Sequence, residues 1–148
     1  MSGAPPSTTA DVRVLARHDD VGLAFVDKPS GILVHNSAWA GPRERTLVDD
    51  VRRLLVDEVW HPLHRLDRQT SGVVAFARED VVARWRAAFE ADDRIDKRYW
   101  ALVRGRVSHP IDVDHALRDD DTGVARDARS RITPLLAAIR GDGPATAD

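Results

Sequence analysis

The chain has 148 residues, of which 43% are hydrophobic and 31% charged, so it has the composition of one globular domain. It contains no cysteine, which excludes disulfides and thiolate metal sites. No signal peptide and no apolar run long enough for a bilayer is recognisable, so we expect a cytoplasmic protein. The net charge of −2 argues mildly against a nucleic-acid binder.

Arginines nevertheless gather in two parts of the chain, one from residue 43 to 68 and the other from residue 97 to 106. Such clusters are compatible with a basic face that binds phosphates, and equally with solvated surface charge that has no partner. Composition alone leaves both interpretations open.

The first half of the chain predicts short strands and a helix. Residues 1–10 are rich in proline, glycine and hydroxyl side chains, which indicates a disordered lead-in. The β-prone runs 12–15 and 22–26 flank a turn and predict an antiparallel pair. Pro29 and Gly31 predict a tight turn, after which we expect a strand at 32–35. A helix is then predicted from Thr46 to near Glu58, and a capping box of Thr46 and Asp49 begins it.

The second half of the chain also predicts short strands and a helix. The run 73–77 predicts a buried strand, and apolar residues at helical spacing predict a helix from Val81 to Phe89, behind the acidic pair at 79–80. We expect a strand at 99–103 and one more short strand by about Leu117. The stretch 137–148 has no periodicity and indicates a disordered end, which leaves 11–136 as the folded domain.

The polar loop from Arg65 to Gly72, held between extended segments, is the first candidate site. Asp67 is a carboxylate that can serve as a nucleophile or general base at a glycosidic carbon. A lone loop aspartate beside arginines is also typical of a surface ion pair or a turn cap. The residues by themselves do not choose between these roles.

Three segments in sequence resemble the RluA-type RNA pseudouridine synthases: DKPSGILVH at 27–35, HRLDRQTSGV at 64–73 and KRYWALVRG at 97–105. The central segment matches the family pattern H-R-L-D-x-x-T-S-G at every fixed position, and the resemblance extends from about Val12 to about Leu117. Asn36 and Ser37, together with the neighbourhood of Asp67 and Arg68, are most similar to the branch that modifies a tRNA uridine. The resemblance implies an α+β fold, with a mixed, mostly antiparallel sheet and flanking helices.

The resemblance also implies an activity: isomerisation of uridine to pseudouridine in tRNA or rRNA by base flipping, in a monomer that needs no cofactor and no metal. Asp67 matches the essential aspartate of the family, and Tyr99 matches its active-site tyrosine, which stacks on the flipped uracil. Arg65 matches a position suited to fill the space the base leaves or to contact phosphate, and Arg68 is expected to bind RNA beside it. The competing interpretations are a core tyrosine at 99 and a loop-holding ion pair at 65.

Other polar residues of these segments are interpreted as architecture. His64 enters a buried strand, where a histidine is typically a hydrogen-bonded structural residue. Thr70, Ser71 and Gly72 are expected to shape the loop and aim Asp67. Lys28 is expected to support the pocket by pairing with a carboxylate. The remaining histidines lack the spacing of a metal site.

The family's later basic segment, G-R-x-H-Q-[IL]-R-x-H, has no counterpart here, although Ala128 to Ile132 resembles the entry of the next family strand. We therefore expect a truncated chain. The alternative function is a catalytically silent fragment that at most binds RNA through Arg65, Arg68 and the strip 97–106. A third is a carboxylate hydrolase of nucleosides or glycosides, which needs a second acid about 5 to 10 Å from Asp67.

Overall fold

The structure is a computed structural model that describes residues 11–36, 44–91, 95–105, 107–118 and 123–135. The chain divides into two compact units, one that extends to Arg98 and one that begins at Tyr99. The expected disordered ends at 1–10 and 137–148 lie outside the described residues.

A four-stranded antiparallel sheet forms the centre of the first unit. Its strands are β1 (Arg13–His18), β2 (Leu23–Lys28), β3 (Trp60–Pro62) and β4 (Gly72–Arg78), in the order β1-β2-β4-β3. The predicted antiparallel pair is therefore confirmed as β1 and β2, and the predicted buried strand is confirmed as β4. β4 lies in the interior of the sheet because it pairs with β2 on one side and β3 on the other.

The first helix, α1 (Leu47–Leu54), begins as the sequence predicts. The Thr46 hydroxyl accepts a hydrogen bond from the Asp49 amide at 3.2 Å and donates to the Asp49 carboxylate at 2.7 Å. These contacts satisfy an N–H group that the first helical turn leaves free. The helix ends at Leu54 rather than near Glu58, because Leu55 turns into the core and Asp57 binds Arg17 of β1.

The second helix, α2 (Val82–Glu90), also lies where the apolar spacing predicts it. The acidic pair that precedes it does not cap it, since Asp80 forms an ion pair with Arg78 at 2.7 Å and Val81 has no capping side-chain bond. The indole N–H of Trp85 donates to the carbonyl of Val21 at 2.9 Å, which ties the helix to the turn before β2.

Two predicted strands are wrong. The stretch 32–35 contains only an isolated parallel bridge from Leu33 to Thr46, because the Leu33 and Val34 carbonyls accept hydrogen bonds from the first amides of α1. The stretch 99–103 is not a strand, although its residues are β-prone. No described strand pairs with it, and Trp100 and Leu102 are almost fully exposed.

The described part of the second unit contains four short strands: β5 (Ile111–Asp114), β6 (Leu117–Arg118), β7 (Ala125–Arg126) and β8 (Arg129–Ile132). β5 pairs with β8 and β6 pairs with β7, both antiparallel. The short strand expected before about Leu117 is thus confirmed, and the residues that resemble a family strand entry form β8. Every residue of β5 and β8 is exposed.

The buried core lies in the first unit, between the sheet and α1. Its members are apolar side chains of the two central strands, of the edge strand β3, of α1 and of the connecting segments: Val12, Ala24, Val26, Ile32, Val34, Leu47, Val51, Leu55, Trp60, Val74 and Phe76. The predicted α+β class, with mostly antiparallel pairing and two helices, is confirmed. Within the described part of the chain, no helix is long and apolar enough to cross a membrane.

Candidate active site

Asp67 lies in the connection between β3 and β4, at one end of the sheet. We call residues 65–71 the Asp67 loop. Lys28, the last residue of β2, is the register partner of Gly72, the first residue of β4. The residues that follow β2 therefore lie beside the Asp67 loop, although about 40 positions separate them in the sequence.

Three donors, from the last residue of β2 and the residues directly after it, bind carbonyls of the Asp67 loop. The Gly31 amide donates to the Arg68 carbonyl at 2.7 Å, and the Lys28 ammonium donates to the same oxygen at 3.2 Å. The Ser30 hydroxyl donates to the Gln69 carbonyl at 2.8 Å. We call Lys28 to Gly31 the clamp segment, since it fixes the backbone directly after Asp67.

The Lys28 side chain is fully buried, which is rare for a lysine. Its ammonium also donates to the Pro29 carbonyl at 3.0 Å. Burial lowers the pKa of Lys28, while the negative charge of Asp67 acts in the opposite direction and raises it. The expected pairing with a carboxylate is therefore corrected: Lys28 bonds to two carbonyls and feels Asp67 through its charge.

The Asp67 carboxylate is exposed and, within the described part of the chain, makes no hydrogen bond or ion pair. Its backbone is fixed, since the Thr70 amide donates to the Asp67 carbonyl at 3.0 Å. Gly72 closes the loop with a φ of 137°, a conformation that side-chain-bearing residues rarely adopt. The loop thus presents a free carboxylate from a fixed backbone.

His64 anchors the other side of the Asp67 loop. Its Nε2 atom accepts a hydrogen bond from the Ala75 amide at 3.1 Å, next to the backbone bond from the Leu63 amide to the Ala75 carbonyl. The imidazole thereby replaces a strand carbonyl where β3 has ended. It also stacks on Phe89 of α2, with centroids 5.8 Å apart.

Burial lowers the pKa of His64, and the positive charge of Lys97 lowers it further, against an opposing hydrogen bond with the Arg65 backbone. The imidazole is therefore held neutral, which it must be for Nε2 to accept a hydrogen bond. The interpretation of His64 as a hydrogen-bonded structural residue agrees with these contacts.

The two arginines beside Asp67 have different surroundings. Arg65 is exposed, and its guanidinium contacts no ion-pair partner among the described residues, so the loop-holding ion pair considered for it is not formed. Arg68 does form an ion pair, with Glu44 in the segment before α1. Sequence reasoning missed Glu44, since no spacing pattern connects it to the Asp67 loop.

Tyr99 is the first residue of the second unit, and its side chain is 62% exposed. It is not the core tyrosine that the competing interpretation requires. The structure therefore brings Lys28, Asp67 and Arg68 together in the first unit, and Tyr99 belongs to the second unit.

Among the described residues, no group of three or more His, Asp or Glu side chains is placed to hold a metal ion. The chemistry available at the Asp67 loop is that of one accessible carboxylate beside a buried ammonium and an exposed guanidinium. Such a carboxylate can attack an electrophilic carbon or accept a proton, and the exposed guanidinium can bind phosphate.

Comparison with known families defines the class of protein. The family model described as RNA pseudouridylate synthase matches residues 22–141, which include the clamp segment, the Asp67 loop and Tyr99. The chain belongs to this family, and the RluA-type resemblance of its three motifs is confirmed.

The chain is also similar to individual proteins of this family that carry a specific name. The chain is 33% identical over 108 residues to a tRNA pseudouridine synthase C of Haemophilus ducreyi, with 73% of this chain and 43% of that protein aligned. It is 37% identical to the protein of that name from Vibrio parahaemolyticus, with 74% and 44% aligned, and 38% identical to that from Vibrio vulnificus, with 68% and 41% aligned. The chain thus spans less than half the length of these three relatives.

Proposed function

We propose that this chain takes part in the isomerisation of uridine to pseudouridine in RNA, with Asp67 as the catalytic carboxylate. The observation that carries the proposal is the Asp67 loop itself. An accessible carboxylate, free of protein partners in the described part, stands on a backbone fixed by the clamp segment at 2.7 to 3.2 Å. Membership of the RNA pseudouridylate synthase family supports the choice of reaction.

The reaction conserves the atomic composition of the nucleotide. The bond between N1 of uracil and C1′ of ribose breaks, the base turns, and a bond between C5 and C1′ forms. The C5 proton then leaves to solvent and N1 gains a proton. Asp67 attacks C1′ or the base, or removes a proton from the sugar; its exposed carboxylate is compatible with each of these routes.

The Lys28 ammonium contributes by its charge. Because it is buried and hydrogen-bonded to the loop backbone, its position is fixed, and the negative charge of Asp67 raises the Lys28 pKa against the larger lowering effect of burial. A carboxylate must be ionised to attack or to accept a proton. Lys28 thus places a buried positive charge that interacts with the carboxylate proposed to react.

The two arginines beside Asp67 and the tyrosine at position 99 are assigned to RNA and base binding. Arg65, exposed and unpaired among the described residues, fills the space of the flipped base or binds phosphate, and Arg68 binds RNA beside it. Tyr99 stacks on the flipped uracil and moves a proton. The relatives carry tRNA in their names, which favours tRNA over rRNA as the substrate. We place the protein in the cytoplasm as a monomer, with 11–136 as its catalytic domain.

Two rivals predict different products. A catalytically silent fragment binds RNA and changes nothing in it, which is the outcome if segments present in the longer relatives are required. A hydrolase of the glycosidic bond releases free uracil and leaves an abasic ribose. Both differ from an isomerase in the fate of the C5 hydrogen.

The test uses unmodified transcripts of tRNA and rRNA that carry tritium at C5 of uridine. Incubation with the purified chain should release tritium to water while the base remains in the RNA, and tRNA should react faster than rRNA. Tritiated free uracil would identify a hydrolase. Binding to the transcripts without either product would overturn the proposed activity of this chain.

A further inference from the structure

Arg68, the proposed RNA contact next to Asp67, is already occupied by a carboxylate of this chain. Its guanidinium forms an ion pair with Glu44, whose side chain is 23% exposed against 42% for that of Arg68. A guanidinium binds a carboxylate and a phosphate through the same fork of N–H donors. Glu44 and an RNA phosphate are therefore alternative ligands of one side chain.

Glu44 is held in position by its neighbours in the sequence. Arg45, the next residue, donates to the buried Asp50 of α1 at 2.8 Å. The amides of Leu47 and Val48 donate to the carbonyls of Leu33 and Val34 at 2.8 and 3.0 Å. The segment before α1 is thus bound to α1 and to the stretch after the clamp segment, and its position does not depend on Arg68.

Arg68 is held independently as well. Its carbonyl accepts hydrogen bonds from Gly31 and Lys28, so the loop keeps its path without the Arg68 side chain. The ion pair to Glu44 is therefore not needed to close the loop. Because the guanidinium is partly exposed, an incoming phosphate can reach it and displace the carboxylate.

We propose that Glu44 is an internal competitor for the RNA backbone: it occupies Arg68 in the free protein, and a phosphate group must replace it when RNA binds. This inference rests on the proposed function, since it assigns a regulator to the RNA contact of the same site. Glu44 then sets how tightly the chain holds RNA and favours release of the product.

The rival role for Glu44 is purely structural. If the ion pair aims the Asp67 loop, its loss lowers the rate of the chemical step and leaves RNA affinity unchanged. If Glu44 competes with phosphate, its loss raises affinity, and only in proteins that still contain Arg68. Dissociation constants and turnover rates measured on the same variants separate the two roles.

The experiment measures binding of a fluorescent, unmodified tRNA transcript by anisotropy over a series of NaCl concentrations. The variants are Glu44→Gln, Arg68→Gln and the double variant of the full chain. Glu90→Gln is the matched control, because Glu90 is an exposed acid at the end of α2 with no ion pair among the described residues. Circular dichroism and urea unfolding verify that each variant folds.

We expect Glu44→Gln to lower the dissociation constant by about two- to five-fold, the range for releasing one partly exposed ion pair. The slope of log K against log salt should remain that of the wild type in Glu44→Gln, because the Arg68–phosphate contact forms in both complexes, and should become shallower by about 0.7 to 0.9 in Arg68→Gln, which loses that one phosphate contact. The double variant should bind like Arg68→Gln alone, and Glu90→Gln should bind like the wild type.

An equal gain in affinity from Glu44→Gln in the presence and absence of Arg68 would overturn the inference, since it would reflect general repulsion of RNA by a negative charge. Unchanged affinity with slower turnover would establish the structural role instead. RNA binding can be measured without catalysis. If the chain releases no tritium but shows the predicted affinities, the competitor role of Glu44 is supported and only the isomerase activity is refuted. If the chain releases tritium but Glu44→Gln leaves the affinity unchanged, the isomerase activity is supported and the competitor role is refuted.

Discussion

The two units of the chain differ in what their apolar side chains contact. In the first unit, apolar residues of β2, β4 and α1 are buried together, and several of them have no exposed surface. In the second unit, none of the side chains that the structure describes is buried, and Ile111, Leu117 and Ile132 are exposed by 44%, 64% and 44%. Hydrophobic burial therefore stabilises the first unit and contributes little to the second.

The difference bears on the proposed site. Asp67 stands on the unit with the buried core, where strand pairing and the clamp segment fix its backbone. Tyr99 opens the unit in which no described side chain is buried. Strand pairing and a buried core thus hold Asp67 in place, whereas Tyr99 belongs to a unit without a buried side chain among its described residues. Substitutions in each unit can test whether catalysis depends on both.

The largest difference in stability is expected between two variants in which an apolar side chain is shortened to alanine, one in each unit. Phe76→Ala removes a fully buried ring from the centre of β4, and should lower the free energy of unfolding by about 3 to 5 kcal/mol. Ile132→Ala in β8 should change it by less than about 0.5 kcal/mol, because the side chain is already exposed. Urea unfolding followed by circular dichroism measures both. Similar losses would remove the distinction between the units.

Tyr99→Phe tests whether the second unit contributes chemistry. If the hydroxyl moves a proton, its removal should slow turnover by about 10²-fold, while the retained ring preserves RNA binding. Single-turnover tritium release and anisotropy report the two quantities separately. An unchanged rate would confine the catalytic residues to the first unit.

Gly72→Ala addresses the junction of the Asp67 loop with β4. A φ of 137° is accessible almost only to glycine, so alanine should cost about 1 to 3 kcal/mol of stability. The strain should also displace the Asp67 loop and slow tritium release. Gly105→Ala, at a φ of 96° in the second unit, is the matched control. It should leave the unfolding of the first unit unchanged, and an equal loss there would show that the units unfold together.

The smallest effect concerns pH. The pKa of His64 is lowered in the folded chain, so below its unfolded value of about 6.5 the unfolded chain binds more protons. Stability contributed by the neutral imidazole should be complete above that pH and decline as the pH falls through the folded pKa. His64→Gln keeps an acceptor for the Ala75 amide and should lose less stability between pH 7 and 5. Equal pH profiles for the two proteins would exclude His64 as the source.

Much of the first unit could be predicted from the sequence, because its elements are stabilised by local patterns. The capping box at Thr46, the helical spacing before Phe89 and the apolar run of β4 each specify their own structure. The stretch 99–103 has an equally clear β pattern and forms no strand. A strand needs a partner, and no described strand pairs with these residues, so propensity alone was insufficient.

The candidate site was only partly predictable for the same reason. The motif around Asp67 identified the carboxylate, but Ser30 and Glu44 bind the Asp67 loop from 39 and 24 positions away. Only strand register and the path of the chain before α1 bring them there. The contacts of Lys28 also differ from the prediction. Its register opposite Gly72 directs the ammonium to carbonyls and not to a carboxylate.

The central claim is that Asp67 performs the isomerisation, and one substitution tests it most directly. Asp67→Asn keeps the size of the side chain and removes its ability to attack or accept a proton, so tritium release from uridine-labelled tRNA should be abolished. The urea transition should remain close to that of the wild type, because the carboxylate makes no hydrogen bond or ion pair among the described residues. Asp20→Asn, an exposed aspartate in the turn between β1 and β2, should retain full activity. Tritium release by Asp67→Asn at the wild-type rate would contradict the account.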